Sequence, residues 1–151
     1  MKTNLNKHLR SAVLLLALML LTSCDQQEHT AQKTVDFNAL QGQWLVINYW
    51  ASWCKPCIEE IPQLNSFAIQ YQEQVKVFGV NFDGVSGEKL ESEVAQLAIE
   101  FPTLELDPAE QLGYPRPSVL PSTILINPQG ELHRILVGPQ TVDSLAKAMQ
   151  P

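Results

Sequence analysis

The stretch WASWCKPC, residues 50–57, places two cysteines where a predicted strand passes into a predicted helix. The preceding residues 45–50, LVINYW, are mostly apolar and predict a buried strand, whereas the apolar residues after Cys57 recur at helical spacing. Backbone N–H groups in the first turn of a helix lack intrahelical partners, and the helix dipole is positive there. A thiolate on Cys54 is therefore stabilised at this position, which favours nucleophilic chemistry.

The spacing of the two cysteines predicts that they can form a disulfide. Two intervening residues at a helix start bring the sulfurs within bonding reach, and Pro56 fits a first turn because it lacks the N–H that would be unpaired there. We predict that Cys54 is the exposed, attacking thiol. Cys57, three residues inside the helix, is predicted to resolve the mixed disulfide.

Two other uses of the cysteine pair are half of a zinc site and a purely structural disulfide. Zinc needs four ligands, and the histidines, His8, His29 and His133, do not form a ligand pair. A static disulfide across so short a loop would remove little chain entropy. Both alternatives stay open, but a redox-active pair without metal or other cofactor is the favoured interpretation.

Residues 1–23 have the pattern of an export signal. Three basic residues and no acid stand in residues 1–10, and the apolar run 12–21 is shorter than the roughly 20 residues of a membrane span. The run ends in LTSC, which resembles the bacterial lipobox, so we expect 1–23 to be a lipoprotein signal peptide and Cys24 to be lipidated. The alternative is ordinary signal cleavage that leaves Cys24 a free thiol. Asp25 resembles an inner-membrane retention signal.

Removal of residues 1–23 would leave seven basic and sixteen acidic residues, a net charge of −9. This balance argues against nucleic-acid binding, because few basic groups are available to displace phosphate counterions. Residues 24–34 are polar and aperiodic, which predicts a flexible tether. The remaining residues, 35–151, are enough for one folded domain with a single core.

The order of predicted elements indicates an α/β fold. The prediction is a strand at 45–50, helix at 54–72, strand at 75–82, helices at 87–101 and 107–114, strands at 122–126 and 132–137, and a closing helix at 142–149. Residues 35–43 predict a short edge segment and turn. The sum is a mixed sheet with helices on both faces. Ligands of such sheets gather at the carboxyl ends of parallel strands, where Cys54 stands.

Four motifs follow one another along the chain: WASWCKPC at 50–57, EIP at 60–62, LPST at 120–123 and NPQG at 127–130. With these motifs the chain resembles the thioredoxin superfamily, and within it membrane-anchored reductases similar to TlpA, ResA and DsbE. The resemblance implies a thioredoxin-like fold over residues 35–151. It also implies a protein thiol–disulfide oxidoreductase.

The resemblance further implies a substrate groove beside the disulfide. In these families the proline corresponding to Pro121 follows a cis peptide bond, and the peptide before it offers backbone groups to an extended substrate. The bond between Leu120 and Pro121 is therefore expected to be cis, the alternative being a trans proline that opens an edge strand. Trp53 is predicted either to wall this surface or simply to pack. Pro115 and Pro117 depart from the family pattern and leave the shape of the groove open.

Glu60 is the candidate proton carrier. It lies three residues after Cys57, on nearly the same helix face, and partial burial would raise its pKa so that it exchanges a proton with Cys57. Many thioredoxins use an aspartate at the position of Asn48, which cannot titrate. The resemblance to the TlpA-like branch implies that Glu60 serves instead. The alternative is an ordinary carboxylate on the helix surface.

The resemblance also implies a setting and partners. A lipid-anchored enzyme of the bacterial periplasm, bound to the inner membrane, would reduce disulfides of exported proteins, for example in cytochrome c maturation. A membrane reductant of the DsbD or CcdA kind would recharge it. Two other functions stay open: a copper-delivery protein of the Sco-like sort that uses Cys54, Cys57 and His133, and a thiol peroxidase.

Overall fold

The computed structural model describes residues 35–150, which form a central mixed sheet. Its five strands are β1 (Trp44–Trp50), β2 (Val75–Asn81), β3 (Thr103–Leu104), β4 (Ser122–Ile126) and β5 (Leu132–Val137), in the order β3-β2-β1-β4-β5. The pairs β1–β2 and β2–β3 are parallel, whereas β1–β4 and β4–β5 are antiparallel. The expectations for the signal peptide, Cys24 and the tether lie outside the described residues.

Helices cover both faces of the sheet, as the sequence predicts. They are α1 (Lys55–Gln70), α2 (Gly87–Gln96), α3 (Ala109–Leu112) and α4 (Val142–Ala148), with a 3-10 helix at Phe37–Leu40. Apolar residues of α1, α2 and α4 share one core cluster with Val46 and Trp50 of β1. The 3-10 helix and α3 pack into a second cluster with Ile47 and Tyr49 on the opposite face. Within residues 35–150, no helix is both long and apolar enough to cross a membrane.

Strand β1 is buried on both faces and sets the position of the two cysteines. Its side chains alternate between the two core clusters, as the pleat of a strand requires. Trp50 pairs with Asn81, the last residue of β2, and Tyr49 pairs with Ser122, the first residue of β4. The end of β1, the end of β2 and the start of β4 therefore meet at one edge of the sheet, and Cys54 follows directly.

The indole of Trp50 packs against the backbone of β2 at Gly79, which pairs with Asn48 in the sheet. A Cβ atom on Gly79 would lie 2.9 Å from Nε1 of Trp50, 2.9 Å from Oγ1 of Thr103 and 3.2 Å from a ring carbon of Phe101. These distances are too short for any side chain to be added without displacing its neighbours. The glycine therefore allows β3 and the indole to approach the β2 backbone together.

Two predicted elements differ from the structure. Residues 35–43 do not form an edge segment; the carboxylate of Asp36 accepts the N–H of Asn38 at 3.0 Å and caps the 3-10 helix instead. The helix predicted over 87–101 ends at Gln96, because Ala98 takes a left-handed conformation with φ 52°. The chain after it turns back to pair β3 with β2. Beyond the end of α2, Leu97, Ile99 and Phe101 still pack into the same core cluster, whereas Ala98 is exposed.

Candidate active site

Cys54 and Cys57 form a disulfide at the start of α1. The sulfurs are 2.03 Å apart, and Cys54 is the N-cap residue of the helix, its Sγ accepting the N–H of Cys57 at 3.3 Å. Cys54 therefore lies at the positive end of the helix dipole, which stabilises negative charge on its sulfur once the disulfide is opened. The predicted pairing of the two cysteines is confirmed.

The disulfide is less accessible than the sequence predicts. Cys54 exposes 5% of its surface and Cys57 only 1%. The expectation that Cys54 is exposed is therefore wrong, although Cys54 is the more exposed of the two cysteines, as predicted. Both belong to the core cluster that includes Trp50 and Ala51. Since Cys54 is the more exposed of the two, a reacting partner must reach the disulfide from the Cys54 side.

Trp53 lies on the surface, directly before Cys54 in the chain. Its side chain is 65% exposed, and its indole Nε1 donates a hydrogen bond to Oδ2 of Asp83 at 2.7 Å. Asp83 belongs to the turn after β2, in which Oδ1 of Asn81 accepts the N–H groups of Asp83 and Val85 at 3.0 and 3.3 Å. The position excludes simple core packing for Trp53. It instead forms a fixed, exposed aromatic surface beside Cys54.

The Leu120–Pro121 peptide bond is cis, as expected. Leu120 packs against the core cluster that contains both cysteines. The segment is held from two sides: the carbonyl of Pro121 accepts the N–H of Gly138 at 2.9 Å, and the hydroxyl of Ser122 donates to the carbonyl of Val119, also at 2.9 Å. Leu120 and Pro121 thus lie at the same sheet edge as the disulfide.

Glu60 is buried in the interior rather than exposed on the helix surface. It is 2% exposed, its Oε1 accepts a hydrogen bond from Nδ2 of Asn48 at 2.8 Å, and its Oε2 accepts the backbone N–H of Gln140 at 2.7 Å. Burial raises the pKa of Glu60, while the hydrogen bonds from Gln140 and Asn48 act in the opposite direction. The net effect is a carboxyl group that binds its proton more tightly than a solvated glutamate.

Asn48 is suited to both charge states of Glu60. Its Nδ2 donates to Glu60 and, at 3.1 Å, to the hydroxyl oxygen of Thr123, whereas its buried Oδ1 has no partner in the described structure. Rotation of the amide by 180° would exchange donor and acceptor, so that Oδ1 would accept a hydrogen bond from a protonated Glu60. The same residue can therefore stabilise the carboxylate or the carboxylic acid.

A second polar cluster, which the sequence did not predict, lies on the opposite face of β1. Oδ1 of Asp107 accepts hydrogen bonds from the hydroxyl of Tyr49 and from the N–H of Ala109, and the hydroxyls of Tyr49 and Tyr114 lie 3.1 Å apart. Oδ2 of Asp107 accepts from Nε of Arg116 at 2.7 Å. Burial raises the pKa of both tyrosines, so they stay protonated at neutral pH. The only sequence signal was the departure from the family pattern at Pro115–Pro117.

His133 does not join the cysteines. Its Nε2 lies 3.0 Å from the carbonyl oxygen of Ala148, and its ring packs edge-on against Trp44 with ring centroids 5.0 Å apart. Within the described part of the chain, no three histidine, cysteine, aspartate or glutamate side chains are grouped so that they could hold a metal ion. The three-ligand copper site considered from the sequence is therefore not assembled in this oxidised structure.

The profile of the AhpC/TSA family matches residues 21–135. The chain belongs to the AhpC/TSA family. It is also similar to the thiol-disulfide oxidoreductase ResA of Oceanobacillus iheyensis, with 29% identity over 119 residues. That match covers 78% of this chain and 62% of the relative, so the chain spans less than two thirds of the relative's length.

Solved structures confirm the thioredoxin-like fold. The crystal structure of StoA from Bacillus subtilis superimposes with a TM-score of 0.59 at 27% identity, covering 73% of this chain and 84% of StoA. The solution structure of a putative thioredoxin from Neisseria meningitidis gives a TM-score of 0.63 at 26% identity, covering 76% and 77% of the two chains. The fold inferred from the sequence motifs is thus the fold of these proteins.

Proposed function

We propose that this protein is a thiol–disulfide oxidoreductase that reduces disulfide bonds in exported proteins. The observation that carries the proposal is the Cys54–Cys57 disulfide at the start of α1, with the buried Glu60 one helical turn further on. Relatives named as thiol-disulfide oxidoreductases support it. A disulfide that closes a short ring at the start of a helix is suited to repeated reduction and oxidation, because the helix dipole stabilises the thiolate on Cys54.

The reaction begins with the reduced pair. The thiolate of Cys54 attacks one sulfur of a client disulfide, a mixed disulfide forms, and the other client sulfur leaves as a thiolate. Cys57 then attacks the sulfur of Cys54 and releases the second client thiolate. The client disulfide gains two electrons, the dithiol of the enzyme is oxidised to the Cys54–Cys57 disulfide, and the two client sulfurs take up the two protons that the enzyme thiols lose.

Glu60 handles the proton of Cys57 in this scheme. Cys57 must lose a proton before it can attack. Glu60, on the same helix face, accepts this proton and passes it on to the departing client thiolate. The hydrogen bonds from Asn48 and from the N–H of Gln140 hold the carboxylate in place for this exchange. A raised pKa suits the role, because the group then changes charge closer to neutral pH.

The client segment binds between Trp53 and the segment that ends in Pro121. The backbone before Pro121 pairs with an extended segment of the client, which requires no particular sequence. Trp53 contributes an exposed apolar surface next to the reacting sulfur. This arrangement favours unfolded or loosely folded clients whose cysteines are not yet buried.

The place of action is the bacterial periplasm. The basic residues, apolar run and lipobox-like LTSC of the first 24 residues support lipidation of Cys24 after removal of 1–23, and Asp25 supports retention at the inner membrane. Residues 24–34 then tether the domain to the membrane. A membrane reductant of the DsbD or CcdA kind recharges the disulfide, and apocytochromes c are among the clients.

Trapping of mixed disulfides tests the proposed reaction. Expressed from the full chain in bacteria, Cys57→Ser should accumulate covalent complexes with exported proteins, which disappear on reduction, because the resolving thiol is missing. Cys54→Ser is the matched control and should trap nothing. Absence of trapped species with Cys57→Ser would contradict the proposal, and peroxide turnover or copper binding by the reduced protein would support the alternatives instead.

A further inference from the structure

Arg116 joins two segments that border the active site. It lies in the loop that precedes Pro121, and its Nε donates a hydrogen bond to Oδ2 of Asp107 at 2.7 Å. Its Nη2 donates to the carbonyl oxygen of Phe82 at 2.6 Å, and its guanidinium lies over the Phe82 ring, 4.6 Å from the ring centroid. A planar guanidinium can make these contacts together, whereas a lysine ammonium cannot reproduce their geometry.

Asp107, which accepts the hydrogen bond of Arg116, is itself held by two further hydrogen bonds. Asp107 also accepts from the hydroxyl of Tyr49 and the N–H of Ala109, and the hydroxyl of Tyr49 lies 3.1 Å from that of Tyr114. Tyr49 lies in the buried central strand β1, so the cluster is attached to the core of the sheet. Arg116 is therefore fixed relative to the end of β1.

Phe82 connects Arg116 to the opposite side of the site. The N–H of Phe82 donates to the carbonyl of Trp50 at 2.8 Å, and the next residue, Asp83, holds the indole of Trp53. The turn after β2, whose Asp83 binds the Trp53 indole, is thus connected to the loop before Pro121 through the guanidinium of Arg116. Arg116 has 45% of its side chain exposed, so the connection lies at the surface and not in the core.

We propose that Arg116 is a positioning residue that sets the spacing between Trp53 and the Val119–Pro121 segment, and so controls the binding of polypeptide clients. The proposal rests on the proposed oxidoreductase function. Trp53 and Val119 are 65% and 50% exposed, so both edges of the gap between them offer apolar surface. Extended segments with apolar residues next to the cysteine fill this gap. Small disulfides can react with Cys54 without binding between Trp53 and Val119.

Steady-state reduction of a protein disulfide and of a small disulfide distinguishes this role from a general structural one. Insulin and oxidised glutathione are suitable substrates for the wild-type protein and Arg116→Gln. For Arg116→Gln, we expect KM for insulin to rise about tenfold with kcat within about twofold, because charge-assisted hydrogen bonds are lost from one side of the groove. The rate with oxidised glutathione and the reduction potential should not change. Arg134→Gln, at an exposed arginine on β5, is the matched control and should resemble wild type.

A second variant tests the connection through Asp83. Asp83→Ala removes the partner of the Trp53 indole at an exposed position, and should also raise KM for insulin. If Arg116 acts through this turn, the double variant should raise KM by less than the product of the two single effects. If Arg116→Gln does not fold, Arg116→Lys provides the same comparison, with a smaller rise in KM expected.

The outcomes separate failure of this inference from failure of the proposed function. Wild-type protein that reduces no protein disulfide contradicts the proposed function itself. Active wild type with an unchanged KM in Arg116→Gln overturns the positioning role. A parallel loss of rate with insulin and oxidised glutathione, or a shifted reduction potential, overturns it too, because Arg116 would then act on the disulfide or on the whole fold.

Discussion

Glu60 and Asn48 are hydrogen-bonded to each other in the interior, so the charge of this carboxyl group affects the stability of the fold. Two N–H donors hold the carboxylate, yet burial outweighs them and raises the pKa of Glu60. The unpartnered Oδ1 of Asn48 is available for the protonated form after the amide rotates. An aspartate at position 48 would instead place a second carboxylate against Glu60, and the two could not ionise together without repulsion.

The pH dependence of stability should reveal this buried carboxyl. The pKa of Glu60 is higher in the folded than in the unfolded protein, so its stabilising contribution is complete at pH values below the unfolded pKa and is lost as pH rises through the folded pKa. Each unit of difference corresponds to about 1.4 kcal/mol. We therefore expect the free energy of unfolding of wild type, relative to that of Glu60→Gln, to fall as pH rises from the unfolded-state pKa of Glu60 through its folded-state pKa. Urea denaturation of the oxidised proteins at a series of pH values measures this difference.

The neighbouring residue provides the control for this titration. Glu59 is exposed and lies 3.8 Å from Lys55, a distance typical of a weak surface ion pair. Glu59→Gln should keep the pH dependence of wild type. If Glu60→Gln also keeps it, Glu60 is not a buried group with a raised pKa, and its assigned role in proton exchange is wrong.

At the level of single elements, the sequence predicts the starts of helices better than their ends. The start of α1 is marked by the cysteine pair and a proline, whereas α2 ends at Gln96 and is followed by Ala98, a residue type that is not a typical stop signal. Ala98 adopts φ 52°; its N–H bonds to the carbonyl of Ala95 at 3.2 Å, and that of Ile99 to Val94 at 3.1 Å. This is the pattern in which glycine usually follows a helix.

Replacement of Ala98 by glycine should therefore stabilise the protein. The left-handed conformation costs an alanine roughly 1 kcal/mol more than a glycine, and the side chain of Ala98 is exposed, so little packing is lost. We expect the free energy of unfolding to rise by up to about 1 kcal/mol in denaturant titrations. Ala95→Gly, within the same helix, should lower it by about 1 kcal/mol. A destabilised Ala98→Gly would contradict the assigned end of α2.

At the scale of the whole molecule, the motifs predict the edge of the sheet at which the site forms, but not the contacts that hold it. Cys54, Cys57 and Pro121 were found because their residue types and order are specific. The N–H of Gln140 that holds Glu60 had no sequence signal, because every residue except proline offers the same group. Strand β3, with two residues, is too short for any periodicity to predict.

The cluster around Asp107 was missed for another reason. Its members lie far apart in the chain, and a tyrosine in a strand or an arginine between prolines has many possible partners. Only the tertiary structure brings Tyr49 and Arg116 to the same carboxylate. The departure from the family pattern at Pro115–Pro117 was the one indication that this region differs, and it marks the residue that we infer controls client binding.

The reduction potential of the Cys54–Cys57 pair decides whether the protein acts as a reductant or as an oxidant of its clients. The measurement equilibrates the protein in glutathione or dithiothreitol buffers of known potential and determines the fraction of reduced thiols. A protein that reduces disulfides of exported clients must be more reducing than those disulfides, so we expect a value below about −220 mV. A value near about −120 mV, typical of a strong oxidant, would contradict the reductase assignment.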